Sequence, residues 1–316
     1  MRMLKKIMKT AGIVLLALIV LLIAGLKLLA VLPAVSKNYR TKIETGGDIE
    51  TKYLQDGPYD VSYYEEEALQ VFEKYEIWYP SEMLEDDQVY PVIVVCNGTG
   101  MKASKSKYQY EYYASWGFIV VATEETYSWN GVGAEMSVRH LERLNENQMT
   151  GDTKNIFYRK IDFENVGIIG HSQGGVGVIS AVTGTDHKDI YKAAVSLSPT
   201  CKETSEGLEW YYDASKVQIP VMLVSGEGGG DDWVVTGEGL ADIYSDISSD
   251  KVMMRRKGTA HGETQTSEDG YVMAWFRYWL QDDKEAGMFF TGSDPELLHN
   301  SMYQDVMIQI ISETDN

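Results

Sequence analysis

From residue 59 onward the chain alternates short, wholly apolar runs with longer amphipathic ones. Residues 61–64 and 75–79 read as two leading antiparallel strands, and 92–96, Val-Ile-Val-Val-Cys, as a strand buried on both faces. A helix is expected over 108–116, a strand over 118–123 and a helix over 134–147. The last of these carries Met136, Val138, Leu141 and Leu144 at helical spacing. Strands over 166–170 and 194–198 bracket a small-residue stretch, 175–181, that reads as a helix. The runs 221–225, 243–247, 252–256 and 273–280 complete the series as strand, helix, strand, helix. Short apolar strands interleaved with helices imply an α/β fold with a mostly parallel central sheet covered on both faces. In such a sheet, ligand chemistry is expected at the carboxyl ends of the strands.

At one such end stands Gly170-His171-Ser172-Gln173-Gly174, between the apolar run 166–169 and the small-residue helix. A serine at a sharp strand-to-helix turn projects its hydroxyl above the sheet, and glycines are needed on either side because side chains there would strike the neighbouring backbone. Ser172 is therefore the candidate nucleophile.

The first 35 residues have a different composition. Arg2, Lys5, Lys6 and Lys9 precede an apolar run from 11 to 26, which resumes after Lys27. That length suits a membrane-spanning helix of roughly 20 residues. Its flanking charge predicts that the rest of the chain lies outside the cytoplasm. The expected organisation is an anchor over 1–35, secreted instead if cleaved near Ala34-Val35-Ser36, then a polar spacer over 36–58 and a catalytic domain over 59–316. Removing the five basic residues before Ser36 from the chain's 28 leaves 23 Lys and Arg against 47 Asp and Glu. So acidic a surface repels nucleic acid and anionic headgroups, which argues against such partners. Two cysteines, Cys96 and Cys201, are too few for a disulfide scaffold and read as buried free thiols. No Cys/His spacing suggests a metal.

A serine hydroxyl needs a base, and the base needs a third group to hold its tautomer. Of five histidines, His140, His187 and His299 read as surface residues, and His171 as packing beneath the turn. His261, in the glycine-bounded loop Gly258-Thr259-Ala260-His261-Gly262 after the strand 252–256, is the candidate base. The acid belongs at the end of the strand 221–225, where Glu227, Asp231 and Asp232 compete. Asp232 is preferred because Trp233-Val234-Val235 would anchor its loop into the core, with Asp231 as runner-up. The oxyanion donors are expected to be the backbone amides of Gln173, at the head of its helix, and Thr99, in the loop after the strand 92–96.

The elbow, the loop from Gly226 to Val235, Ala260-His261-Gly262 and the closing helix Ala274-Trp275-Phe276-Arg277-Tyr278-Trp279 together resemble the α/β-hydrolase superfamily. Within it the chain is most similar to the dienelactone-hydrolase-like, chlorophyllase-like and bacterial cutinase or polyester-hydrolase group, over roughly residues 59–291. The resemblance implies a Ser172, Asp232, His261 triad acting on carboxylic esters through an acyl-enzyme, with Thr99 and Gln173 as the oxyanion hole and no cofactor. The family commonly has His-Gly where this chain has Asn97-Gly98.

About twenty residues separate the strands ending at 198 and beginning near 221, too few for a cap domain, so an open cleft is expected. Tyr127, Trp129 and Trp233, near strand ends, are candidates to line it and hold an acyl chain or ring. The expected activity is that of an extracytoplasmic serine esterase acting on small or polymeric esters. The alternatives on the same scaffold are an acyltransferase or peptidase, or a catalytically silent surface-displayed binding protein.

Overall fold

Nine strands form one sheet in the computed structural model, which describes residues 32–151 and 153–311. They are β1 (Val61–Glu67), β2 (Lys74–Pro80), β3 (Tyr90–Cys96), β4 (Ile119–Thr123), β5 (Ile161–His171), β6 (Tyr191–Leu197), β7 (Val221–Gly226), β8 (Lys251–Arg256) and β9 (Tyr303–Gln309). Their spatial order is β1-β2-β4-β3-β5-β6-β7-β8-β9. The six strands from β4 to β8 are mutually parallel. The antiparallel strands lie at the two ends: β2 on β4, β1 on β2, and β9 on β8.

Every residue of β3 is buried. Ile93 and Val95 face one apolar core while Val92, Val94 and Cys96 face the other. This two-sided burial is why the strand reads as a continuous apolar run. Helices α1 (Asp48–Tyr53), α2 (Lys107–Ser115) and α6 (Asp269–Gln281) cover the first face, with Tyr53, Tyr113, Tyr271 and Trp275 fully buried. The other face is covered by α3 (Val132–Glu146), α4 (Gln173–Gly184) and α5 (Gly237–Asp246). The chain runs from β3 outward to β4 and then returns to β5 on the other side of β3. The order therefore reverses between β3 and β5, and the loops leaving those two strands flank a crevice.

The anchor expected at the N-terminus lies, through residue 31, outside the described residues. Among the described residues no helix is long and apolar enough to cross a membrane. Residues 36–58, expected as a spacer, are instead part of the folded body. Tyr39, Ile49, Tyr53 and Leu54 are buried, and the Tyr39 hydroxyl donates to Asp269 Oδ2 at 2.6 Å. Glu50, 1 % exposed, pairs with Arg256 at 2.9 Å and accepts from Tyr303 at 2.6 Å and Asn300 at 2.8 Å. The polar composition misled because one of its charged residues, Glu50, is internally paired, and its only α-helix has six residues with little periodicity to read. The C-terminal stretch likewise folds onto the domain, as the edge strand β9.

Two consequences follow for stability. A protein beginning at residue 59 should lose its cooperative thermal transition, while one beginning at residue 32 keeps it. In the full chain, Glu50→Ala should destabilise by about 3–5 kcal/mol, because it leaves the Arg256 guanidinium buried without its counter-charge. Urea unfolding measures this, and a loss below 1 kcal/mol would contradict it.

Candidate active site

The crevice between β3 and β5 brings two turns together. β3 and β5 pair with Cys96 opposite Gly170, so the chain leaving β5 must pass close to the chain leaving β3. A Cβ on Gly170 would lie 2.2 Å from the Gly174 carbonyl oxygen, and one on Gly174 would lie 2.1 Å from that of Cys96. Both positions therefore exclude any side chain. Between them Ser172 takes φ 60°, ψ −122°, a strained conformation for a non-glycine residue. This turn holds its hydroxyl up at the head of α4.

Three side chains meet above it. The Ser172 hydroxyl donates to His261 Nε2 at 2.9 Å, and His261 Nδ1 donates to Asp231 Oδ1 at 2.6 Å. Asp231 is fully buried. Its other oxygen accepts the Gly226 amide at 2.5 Å and the Ser198 hydroxyl at 3.1 Å. So surrounded, the carboxylate fixes the imidazole proton on Nδ1, which leaves Nε2 free to accept.

The preferred acid of the sequence reading, Asp232, is not in this constellation. It is exposed and pairs with Arg255 at 2.8 Å. The loop is anchored as expected, but by Val235, which is fully buried, while Trp233 is 89 % exposed. Gly230, at φ 91°, caps the short helix Asp231–Val234 and turns Asp231 inward and its neighbour outward. Glu227 bonds the Gly258 amide at 3.3 Å and likewise stays outside.

His171 lies beneath the turn and braces His261. Its Nε2 donates to the His261 carbonyl oxygen at 2.7 Å and approaches Thr264 Oγ1 at 3.0 Å. Thr264 in turn bonds Ser198 at 2.7 Å, which closes a ring of contacts back to Asp231. Burial pushes the His171 pKa down to about 4. A neutral ring therefore sits 4.7 Å from the His261 ring. Sequence reasoning missed Ser198 and Thr264, since isolated hydroxyls carry no local signal.

The Ser172 amide is already bonded to the Leu197 carbonyl at 2.8 Å, and helical bonds back to the Ser172 carbonyl begin at Gly175. The amide of Gln173 lies between them, at the positive end of α4. Across the crevice the amides of Gly100 and Met101 are bonded to Thr126 and Gly98, while Thr99 borders the space above Ser172. Asn97 holds this loop through its side-chain amide, which donates to the Thr123 and Glu125 carbonyls at 2.6 and 2.8 Å.

A cavity of about 760 Å³ opens on Ser172 and His261. Its walls are Thr99 and Met101 on one side, residues between 256 and 267 on another, and Ala34, Val35, Ser36, Tyr39, Lys42, Ile43 and Glu44 of the N-terminal segment, but not Lys37, on a third. That third wall was not foreseen. Tyr127, Trp129 and Trp233 do not line the cavity. Tyr127 and Trp129 flank Ser128, whose amide donates to Gln173 Oε1 at 2.7 Å, so they stand beside the elbow rather than in the cleft.

Two other histidines differ from their expected setting. His140 is buried and stacks on Tyr75 with ring centroids 3.9 Å apart. His187 is half-buried against Glu135 at 2.8 Å. His299 is exposed beside Asp294. Both cysteines are free, Cys96 buried and Cys201 partly so.

A family model described as PET hydrolase-like matches residues 43–306, a span that takes in α1, the elbow, and the Asp231 and His261 loops. No curated protein matches the chain.

Ser172 should react with a fluorophosphonate probe. Asp231→Asn should slow that labelling by about 10³-fold or more, and Asp232→Asn should leave it within a few-fold of wild type. Equal effects of the two substitutions, measured by mass spectrometry of the labelled peptide, would contradict the assignment. His140 makes a separate prediction for stability. Burial pushes its pKa down to about 4, whereas the unfolded imidazole titrates near about 6.5. Below the unfolded value the unfolded chain takes up a proton the folded one refuses, so stability falls as pH drops from about 6.5 to 4. His140→Phe should remove up to about 3 kcal/mol of that loss, read as the difference between wild-type and variant unfolding free energies at pH 7 and pH 4.

Proposed function

The chain belongs to the PET hydrolase-like family, within the α/β-hydrolase superfamily, and from that premise we propose that it is a serine hydrolase cleaving carboxylic esters through an acyl-enzyme. The observation that carries this reading is the unbroken relay from the Ser172 hydroxyl through His261 to the buried Asp231 carboxylate, with contacts of 2.9 and 2.6 Å.

His261 Nε2 takes the hydroxyl proton as Ser172 Oγ attacks the ester carbonyl carbon. The oxyanion that forms is met by the amides of Gln173 and Thr99, fixed dipoles that need no reorganisation as charge develops. The imidazolium, held by Asp231, then protonates the departing alkoxide as the C–O bond breaks, leaving an acyl group on Ser172. Water enters, gives its proton to His261 and attacks the acyl carbon. Collapse of the second tetrahedral species releases the carboxylic acid and restores the hydroxyl. The chain's own groups account for each proton, so the chemistry calls for no cofactor.

The connection between β6 and β7 holds only the short helix Lys202–Gly207 and one further turn, so among the described residues this connection supplies nothing of cap size over the cleft. An open cleft accepts esters of modest size and the exposed links of a polyester. The apolar run at 11–26 after four basic residues, in the part of the chain outside the described residues, supports a membrane-tethered enzyme with its catalytic domain outside the cytoplasm.

Ser172→Ala should reduce hydrolysis of p-nitrophenyl butyrate by about 10⁴-fold or more without changing the thermal midpoint. Retained turnover in a folded variant would sink the proposal.

A further inference from the structure

The cleft wall at residues 34–44 leads directly to the point where the described chain begins, and the two are tied together. The amides of Ala34 and Val35 both donate to the Lys105 carbonyl, at 2.9 and 3.1 Å, and the Lys105 ammonium returns a bond to the Leu32 carbonyl at 2.8 Å. Farther along, Tyr39 is locked to Asp269, and Arg40 to the Leu54 carbonyl at 3.0 Å. Leu32 is therefore held beside the cavity that contains Ser172. Three residues span at most about 10 Å, so whatever precedes Leu32 leaves the domain about that far from the cleft wall at Val35.

Charge is distributed unevenly in the same place. Beyond residue 35 the chain has about twice as many acidic as basic residues, yet residues 32–44 and 101–107 together carry six Lys and Arg and one acid, Glu44. Lys37 and Lys42 are exposed. Arg40 and Lys102 are partly offset by Asp56 and Glu73. Glu111 lies near Lys37 and Lys107, and Glu44 and Glu263 line the cleft, so the six cations leave the cleft mouth and chain exit far less acidic than the rest of the surface rather than free of carboxylates.

We propose that this face lies against an anionic bilayer, so that the cleft opens onto the headgroup region and takes its ester from amphiphiles carried in the membrane. This rests on the ester-hydrolase reading above and names the substrate class for that site. An anchor joined through a flexible spacer would leave the domain free to turn. Here the exit is bonded to the cleft wall, and the charge pattern selects one orientation: the basic face is drawn to anionic headgroups while the acidic remainder is repelled into solvent. A lipid ester entering the cleft from that side is cleaved by addition of water across the acyl C–O bond, giving a free carboxylic acid and the corresponding alcohol.

The test uses the full chain in phosphatidylcholine vesicles with or without phosphatidylglycerol. Two esters are compared, p-nitrophenyl butyrate in solution and p-nitrophenyl palmitate dissolved in the bilayer. The double variant Lys37→Glu/Lys107→Glu touches none of the catalytic groups, and it should keep the soluble-ester rate. It should lose about tenfold in the palmitate rate on phosphatidylglycerol vesicles, a difference that vanishes in high salt or on phosphatidylcholine alone. Unchanged palmitate turnover in the variant, or wild-type protein that cleaves butyrate but not bilayer palmitate, would overturn the orientation while leaving the esterase reading intact. Failure of wild type on both esters would overturn the esterase reading itself.

Discussion

The buried carboxylate of Asp231 is the interaction on which the site depends. An anion with no solvent exposure persists only where donors replace its water, and three do so here: the Gly226 amide, the Ser198 hydroxyl and the His261 ring. Those donors come from the ends of β7 and β6 and from the loop after β8. Stabilising the charge therefore fixes three strand ends relative to one another. The same bond sets the His261 tautomer, so structural and chemical roles are carried by one hydrogen bond.

Opposite that carboxylate, backbone packing imposes the complementary constraint. The elbow passes so close to β3 that Gly170 and Gly174 have no room for a Cβ, and Ser172 is held in a strained conformation by the sheet on one side and α4 on the other. Strain of about 1–3 kcal/mol is tolerable there because the surrounding β strands are buried on both faces and over-determine the turn. Neutral His171 beneath it joins the two constraints, since it bonds the carbonyl of the base it supports.

How much of this was legible in the chain follows the range of the interaction concerned. The strands, the elbow and His261 are local: apolar runs, glycine spacing and a loop after a strand announce them. The choice between Asp231 and Asp232 is not local. It turns on Gly230, whose left-handed conformation starts a one-turn helix and sends adjacent carboxylates in opposite directions, one to His261 and one to Arg255. The N-terminal segment was misread for a related reason. Glu50 and Arg256 lie 206 positions apart, and a charged residue whose partner is that distant looks solvated in sequence. His140, flanked by charges on α3, was misplaced because Tyr75 reaches it from another element. Tyr127 and Trp129 fell near the elbow but outside the cleft, whose third wall comes from residues that composition alone marked as a linker.

Proton NMR of the imidazole N–H region tests the central hydrogen bond most directly. The account predicts a strongly downfield resonance from His261 Nδ1–H in the wild-type protein, retained in Asp232→Asn and lost or shifted far upfield in Asp231→Asn. A downfield proton that survives loss of the Asp231 charge, or vanishes with that of Asp232, would contradict it.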